Sequence, residues 1–267
     1  RPDRPVVHND LGAALRITGR LPEAEAALKR AVSLDPHYGD AWNNLGFVRR
    51  AIGDHAGAYE ALQRAVTLKP GFAPTQNALG VVLTALGRRD EAVDAFRAAV
   101  ATKPDYVEAL SNLGLALHDN GDSRMALEPL GKAVQLAPKM AEAWLNLGLA
   151  QRAAADLQGA ADSLRRAVAL KPALMAAWTA LGVVLAMSGD QQAASEAFRQ
   201  SVELDARSAE ALSNYGLSLH RLGRRDEART MIDKALAVEP GHAGAIFNRA
   251  VMRQEDGDFT NALADWR

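Results

Sequence analysis

Asparagine recurs at Asn44, Asn112, Asn146, Asn214 and Asn248, at steps of 34 or 68 in the numbering. A carboxamide carries N–H donors and a carbonyl acceptor, so a row of them can hydrogen-bond the backbone of an extended peptide whatever its sequence. The same row can instead bridge one helix to its neighbour, and both readings are open. Cations keep the same step six residues further on, as Arg16, Arg50, His118, Arg152 and His220. They suit acidic side chains or a carboxylate on a ligand. In the last turn of a helix they also complement its dipole, which is the plainer account.

No catalytic centre assembles from these or any other residues. The histidines are scattered, without the spacing that puts two ligands on one helical face. Cysteine is absent, which removes thiol nucleophiles, zinc-cysteine sites and disulfides. Gly131-Lys132 lacks the upstream glycine and the Ser/Thr of a phosphate-binding loop. No Gly-x-Ser-x-Gly or Gly-x-Gly-x-x-Gly occurs. The expectation is a non-enzymatic chain with no cofactor and no metal.

The spacing of these residues is set by an internal repeat. Leu11-Gly12, Leu45-Gly46, Leu79-Gly80, Leu113-Gly114, Leu147-Gly148 and Leu181-Gly182 follow one another at a constant interval, continued by Tyr215-Gly216 and Arg249-Ala250. Seven full units result, 5–38, 39–72, 73–106, 107–140, 141–174, 175–208 and 209–242, with a partial eighth at 243–267. Counting from the first residue of each unit, position 20 is alanine in all eight. Position 15 is glycine except for Ala155, and position 32 is proline in every full unit except that of Ala206. Small residues at 8 and 20 let two helices approach closely. Glycine at 15 suits a left-handed helix end, and proline at 32 ends the second helix. Asp54, Asp122, Asp156, Asp190 and Asp258 put negative charge at the start of the second helix. Each unit is therefore a helix (A), a tight turn and a second helix (B).

These units resemble the tetratricopeptide repeat (TPR), whose pattern is W-x2-L-G-x2-Y, A-x3-F and P on a 34-residue period. Trp42 to Gly46 and Trp144 to Gly148 carry its first part, and Ala92 with Phe96 and Ala194 with Phe198 its middle. The tyrosine of position 11 is missing throughout, and position 4 is His8 in the first unit and Gln76 in the third, where looser packing is expected. The resemblance implies an all-α fold, a right-handed α-α superhelix of antiparallel helix pairs with A helices lining a concave groove. Such hairpins cannot bury their apolar faces alone and are stabilised by stacking. The asparagine row resembles the ladder in the TPR arm of O-linked N-acetylglucosamine transferases, which implies a substrate-recruiting arm of a bacterial glycosyltransferase as an alternative function. The chaperone-tail clamp of some TPR proteins needs lysine at positions 5 and 2, and none is present.

On an A helix, positions 2, 5, 6, 9, 12 and 13 share the face turned to the groove. Position 9 is apolar throughout (Ala13, Phe47, Val81, Leu115, Leu149, Val183, Leu217 and Val251), suited to packing between A helices or to a ligand floor. Asp40, Glu108, Glu142 and Glu210 at position 2 are expected to cap A helices. Repeats 2 and 5 are identical at half of their positions, which suggests that 39–140 was once duplicated as 141–242.

Composition limits the partners. Of 267 residues, 31 are Lys or Arg and 32 are Asp or Glu, too even for wholesale binding to nucleic-acid phosphates. An apolar content of 48% excludes disorder. The uncharged run from Pro172 to Gly189 keeps the register of the repeat and is interrupted by Thr179, Gly182 and Ser188, so membrane insertion is not expected. Lack of cysteine fits a reducing compartment, and a cytoplasmic location is the expectation. Arg1 is not a start residue, which suggests a piece of a larger protein. Phe259, Leu263 and Trp266 are expected to lie exposed on an incomplete last layer, where they would recruit another copy. The expected function is a protein-protein interaction module that takes an extended peptide or partner helix along the groove. A self-assembling scaffold is the third reading.

Overall fold

A computed structural model describes residues 3–265, and every regular element among them is helical, with no strand. The A helices are α1 Pro5–Ile17, α3 Gly39–Ala51, α5 Ala73–Ala85, α7 Val107–Asp119, α9 Ala141–Ala153, α11 Met175–Met187, α13 Ala209–Arg221 and α15 Ala243–Glu255. The B helices are α2 Leu21–Leu34, α4 His55–Leu68, α6 Arg89–Thr102, α8 Ser123–Leu136, α10 Leu157–Leu170, α12 Gln191–Leu204, α14 Arg225–Val238 and α16 Phe259–Asp265. None of them is long and apolar enough to cross a membrane. Contacts gather the chain into two compact units, Arg1–Ala137 with α1–α8 and Pro138–Arg267 with α9–α16.

Each unit is built the same way. Every A helix packs on its own B helix, and every B helix packs on the A helix that follows within its unit. Successive A helices touch one another (α1 on α3, α3 on α5, α5 on α7; α9 on α11, α11 on α13, α13 on α15), whereas among the described residues successive B helices of one unit do not. The A layer is therefore the inner side of the bend within each unit.

The Leu-Gly pair sets the A–B approach. Position-20 alanines, from Ala24 to Ala262, are at most 1% exposed. The glycine of position 8 lies under the side chain at position 24, which is leucine in four repeats and phenylalanine in two. A methyl group on Gly80 would sit 2.5 Å from Cε1 of Phe96, and one on Gly182 2.6 Å from Cε1 of Phe198. Absence of a side chain there lets a large apolar group lie directly on the A-helix backbone, at the density of a protein interior.

The turn between A and B uses the left-handed conformation in all eight repeats. Seven glycines adopt φ from 74° to 90°, and Ala155 adopts 66° in the remaining one. That conformation is strained for an L residue and free of strain for glycine. The B helix then starts in one of two ways. Asp54, Asp156 and Asp190 accept from the backbone N–H three residues on at 2.9–3.0 Å, and Asp258 does so from Asn261 at 3.3 Å. Asp122 puts its charge at the same place but makes no such cap. Where arginine stands in place of the aspartate, Arg20, Arg88 and Arg224 pair with Glu23, Glu91 and Glu227 one turn on.

Position 4 joins each repeat to the loop before it. Trp42, Trp144 and Trp178 donate their indole N–H to the carbonyls of Pro36, Pro138 and Pro172 at 2.8–3.0 Å. Gln76 donates to the Pro70 carbonyl at 2.7 Å and accepts from Thr102 at 2.8 Å, so the third repeat keeps the link. A buried amide there reaches the same carbonyl that indole does.

Candidate peptide-binding face

The inner face of each unit displays positions 6, 9, 12 and 13 of successive A helices. Three of the five asparagines bridge neighbouring helices. Asn44 donates to Asn9 at 2.8 Å and Asn112 donates to Asn77 at 2.9 Å, in both cases to position 5 of the preceding repeat. Asn248 donates to the Ser213 hydroxyl at 3.1 Å. Each keeps its carbonyl oxygen and a second N–H for other partners. Asn214 makes no hydrogen bond among the described residues, and Asn146 makes none within its unit.

Cations take several roles. Arg16 and Arg50, from consecutive A helices, both lie 5.9 Å from the centre of the Phe47 ring, close enough for cation–π attraction. Neither has a carboxylate partner among the described residues, nor have Arg152 and Arg221. His118 shares a 2.9 Å hydrogen bond with Ser123. His220 places Nε2 3.1 Å from Glu255, while its Nδ1 is buried without a partner.

Position 9 forms the floor of open clefts. In the first unit a cleft of about 160 Å³ lies between α5 and α7, with Val81, Leu115, Asn112 and Asp119 around it and Phe96 at its base. In the second a cleft of about 380 Å³ lies between α11 and α13, with Val183, Met187, Leu217, Asn214, Gln191 and Arg221 around it and Phe198 at its base. A neighbouring cleft between α13 and α15 shares Leu217 and Arg221 and adds Phe247 and Val251, so the second unit carries a continuous apolar strip. Phe247 is 59% exposed on that strip.

Other polar residues are absorbed by the scaffold. Asp40 and Glu142 pair with Lys69 and Lys171 at 2.6 and 2.7 Å rather than capping their helices. The lysine beside Glu142 holds its carboxyl below the usual range. Glu108 accepts from Tyr106 at 3.1 Å; burial first, then that carboxylate, push the phenol up. Position 11, where the family has tyrosine, is polar in three repeats and ties the layers together. Arg49 donates to Glu25 at 3.2 Å, Gln151 accepts from Ser163 at 2.7 Å, and Arg253 donates to Asp265 at 2.7 Å. Burial raises the Asp265 carboxyl, but Arg249 and Arg253 outweigh it and hold the group low. Single positions do not reveal these pairs in sequence, since each joins two different helices. Among the described residues no group of three or more His, Asp or Glu is placed to hold a metal. Phe259 and Leu263 are 66% and 50% exposed, and Trp266 lies outside the described residues.

A family profile described as the cilia and flagella-associated protein 70 C-terminal domain matches residues 72–262, and a tetratricopeptide-repeat profile matches 9–71. The chain belongs to the tetratricopeptide-repeat family. No curated protein shows a significant sequence match. Among solved TPR-like structures, one of MamA is 33% identical, with a TM-score of 0.57, over 62% of this chain and 96% of that one. PilF of Pseudomonas aeruginosa is 20% identical, with a TM-score of 0.67, over 78% of this TPR chain and 94% of its own. YrrB, described as a TPR protein with an unusual peptide-binding site, is 22% identical, with a TM-score of 0.59, over 70% and 97% respectively. The last two likenesses speak to the fold alone. The TPR assignment fits the all-helical architecture.

Proposed function

We propose that this TPR chain is a non-enzymatic interaction module that holds an extended peptide or a partner helix against its A-helix face. The observation that carries this reading is the row of open apolar clefts between consecutive A helices, with Arg221, which has no carboxylate partner among the described residues, beside both clefts of the second unit. Concave apolar surface with a few convergent polar groups is the general form of a recognition site. A protein partner fits this surface better than nucleic acid, because the net charge is only −1. The YrrB description supports the use of this fold for peptides, at the level of fold only.

The glycosyltransferase-arm reading needs a free asparagine ladder, and the amides of Asn44, Asn112 and Asn248 already serve as helix bridges. It is therefore the weaker of the two. Self-association through Phe259 and Leu263 gains support from their exposure alone.

The test is selection of peptides from a displayed random library on the purified protein, followed by affinity measurement on variants. Leu115→Asp and Leu217→Asp on the inner face should weaken the selected peptides about tenfold or more, a loss of about 1.4 kcal/mol. Arg64→Asp on a B helix should leave them unchanged. Peptides whose affinity follows Arg64 and ignores Leu115 and Leu217 would overturn the proposal.

A further inference from the structure

The first and second units carry the same cleft three repeats apart. Val81, Phe96, Asn112, Leu115 and Asp119 line one, and Val183, Phe198, Asn214, Leu217 and Arg221 stand at the same repeat positions in the other. The two differ in the features that decide what enters.

Size is the first difference. The second cleft encloses about 380 Å³ against about 160 Å³ in the first. Thr84 in the first is replaced by Ala186 in the second, and Met187, 58% exposed, replaces Ala85 at the rim. The second is roomy enough for a leucine, methionine or phenylalanine side chain, with Val183, Leu217 and Phe198 to receive it.

Hydrogen-bonding capacity is the second difference. Asn112 gives an N–H to Asn77, whereas Asn214 has no internal partner. The residue that would occupy Asn214 in the same way is Thr179, and its hydroxyl is engaged with Ser201 at 2.7 Å and with the Met175 carbonyl at 3.2 Å. Gln191 gives its N–H to the Ala186 carbonyl at 3.1 Å and leaves its own carbonyl oxygen buried without a donor. A buried acceptor without a donor is costly, and a peptide N–H arriving in the cleft would relieve it. Asn214 and Gln191 together offer a donor and two acceptors to one stretch of peptide backbone.

Charge is the third difference. Asp119 stands at the mouth of the first cleft and Arg221 at the mouth of the second, and Arg221 has no carboxylate partner among the described residues. Arg225 flanks the adjoining cleft and is only loosely held, 3.6 Å from Asp256 and 3.9 Å from Glu255. A guanidinium left free beside an apolar pocket is complementary to a carboxylate on the ligand.

We infer that the cleft between α11 and α13 is the anchoring position of the peptide-binding face and that its occupant is a segment with a bulky apolar side chain next to an acidic residue. This rests on the interaction-module reading and gives that reading a ligand class. The first-unit cleft, small and acid-rimmed, rejects the same segment.

The probe is a short dye-labelled peptide carrying Leu-Glu-Glu-Leu between Gly-Ser arms, with Lys-for-Glu and Ser-for-Leu versions as comparisons, followed by fluorescence anisotropy on the whole protein. The Leu-Glu peptide should bind more tightly than either comparison. Arg221→Asp, which imports the first unit's residue, should weaken it about tenfold and narrow its advantage over the lysine version. Met187→Glu, on an exposed rim residue, should weaken it by a similar factor, and Arg64→Asp, on a B helix, should change it less than about twofold. Circular dichroism confirms that each variant folds. If the probe binds, yet is insensitive to Arg221 and Met187 and lost on Val81→Asp or Leu115→Asp, the inference fails and the interaction face stands. If no version binds, or binding ignores every inner-face substitution, both fail.

Discussion

Ala155 is the sharpest test of the physical account, because it is the one described non-glycine residue with positive φ. Its φ of 66° matches the 74–90° of the seven glycines at the same repeat position, so the repeat forces an L residue into the left-handed region. That conformation costs an L residue about 1–2 kcal/mol. The replacement Ala155→Gly removes the cost but adds freedom to the unfolded chain, which returns about 0.5–1 kcal/mol. Ala155 is exposed, so little packing is lost with its methyl group. The net expectation is stabilisation by about 0.5–1 kcal/mol, or a rise of about 1–4 °C in the melting temperature for a chain of this size. Gly189→Ala, at the same position of the next repeat with φ of 88° and nothing within 4 Å of the added methyl, should lose about 1 kcal/mol. Urea unfolding followed by far-UV circular dichroism measures both, and amide hydrogen exchange in α9 and α10 tests whether the Ala155→Gly gain is local, as expected of a stack with nearest-neighbour coupling. If Ala155→Gly lowers the midpoint, or both substitutions shift it in the same direction, the left-handed turn is not the cause of the glycine preference.

Three further outcomes follow from the packing and the charges. Gly182→Ala drives a methyl into the Phe198 ring, 3% exposed and walled in, and should cost about 1–3 kcal/mol; Gly216→Ala meets the flexible end of Ile232 at 2.9 Å and should cost less, both read from urea midpoints. Asn112→Ala leaves the buried Asn77 carbonyl without its donor and should cost about 1–3 kcal/mol, whereas Asn214→Ala should stay within about 0.5 kcal/mol; equal losses in the same assay would contradict the assignment of bridges. Glu25, held low first by Lys29 against the opposing effect of burial and also by Arg49, and Asp265, held low by Arg249 and Arg253, bind protons less readily folded than unfolded. Their stabilisation is complete above the unfolded carboxylate range of about pH 4 and is lost as pH falls from there through the lower folded-state values. Urea midpoints measured from neutral to acid pH should therefore drop below about pH 4.5, and less steeply in Glu25→Gln.

Much of this was legible in the sequence, for a physical reason. Leu-Gly, Ala and Gly recur because the A–B contact is the same in every repeat, so eight noisy copies average into one clear pattern; position 20 is alanine in all eight and buried in all eight. Departures from the pattern were less legible. Gln76 looks like a missing tryptophan, yet an amide reaches the Pro70 carbonyl as an indole would. Asp40 and Glu142 look like caps, yet Lys69 and Lys171, from the ends of the following B helices, reach the same helix starts and take them. Lys69 and Lys171 lie 29 residues along the chain from the carboxylates they take, and Gln76 is the one glutamine at position 4, so no period announces either link.

The asparagine row shows the same limit at the site itself. Its five members are one residue type at one repeat position, and their neighbours give them different work. Asn9, Asn77 and Ser213 present an acceptor to the position-6 asparagine of the next repeat, which turns Asn44, Asn112 and Asn248 into cross-links between A helices. Thr179 stands in the same place before Asn214, but its hydroxyl is drawn to Ser201 on the B helix and to its own helix backbone, so the next asparagine stays free. A row of asparagines is thus informative only when read in pairs with position 5 of the preceding repeat. On that reading Asn214 stands free at the wall of the α11–α13 cleft, beside Arg221, which has no carboxylate partner among the described residues, and the unmet carbonyl of Gln191. The converse substitution makes the argument quantitative. Thr179→Asn should supply the missing acceptor and recruit Asn214 into a bridge, stabilising the fold by about 0.5–1.5 kcal/mol in urea. It should also weaken capture of the Leu-Glu peptide, because the carboxamide that held its backbone is now engaged. Stabilisation without any change in peptide affinity would mean that Asn214 never touched the peptide.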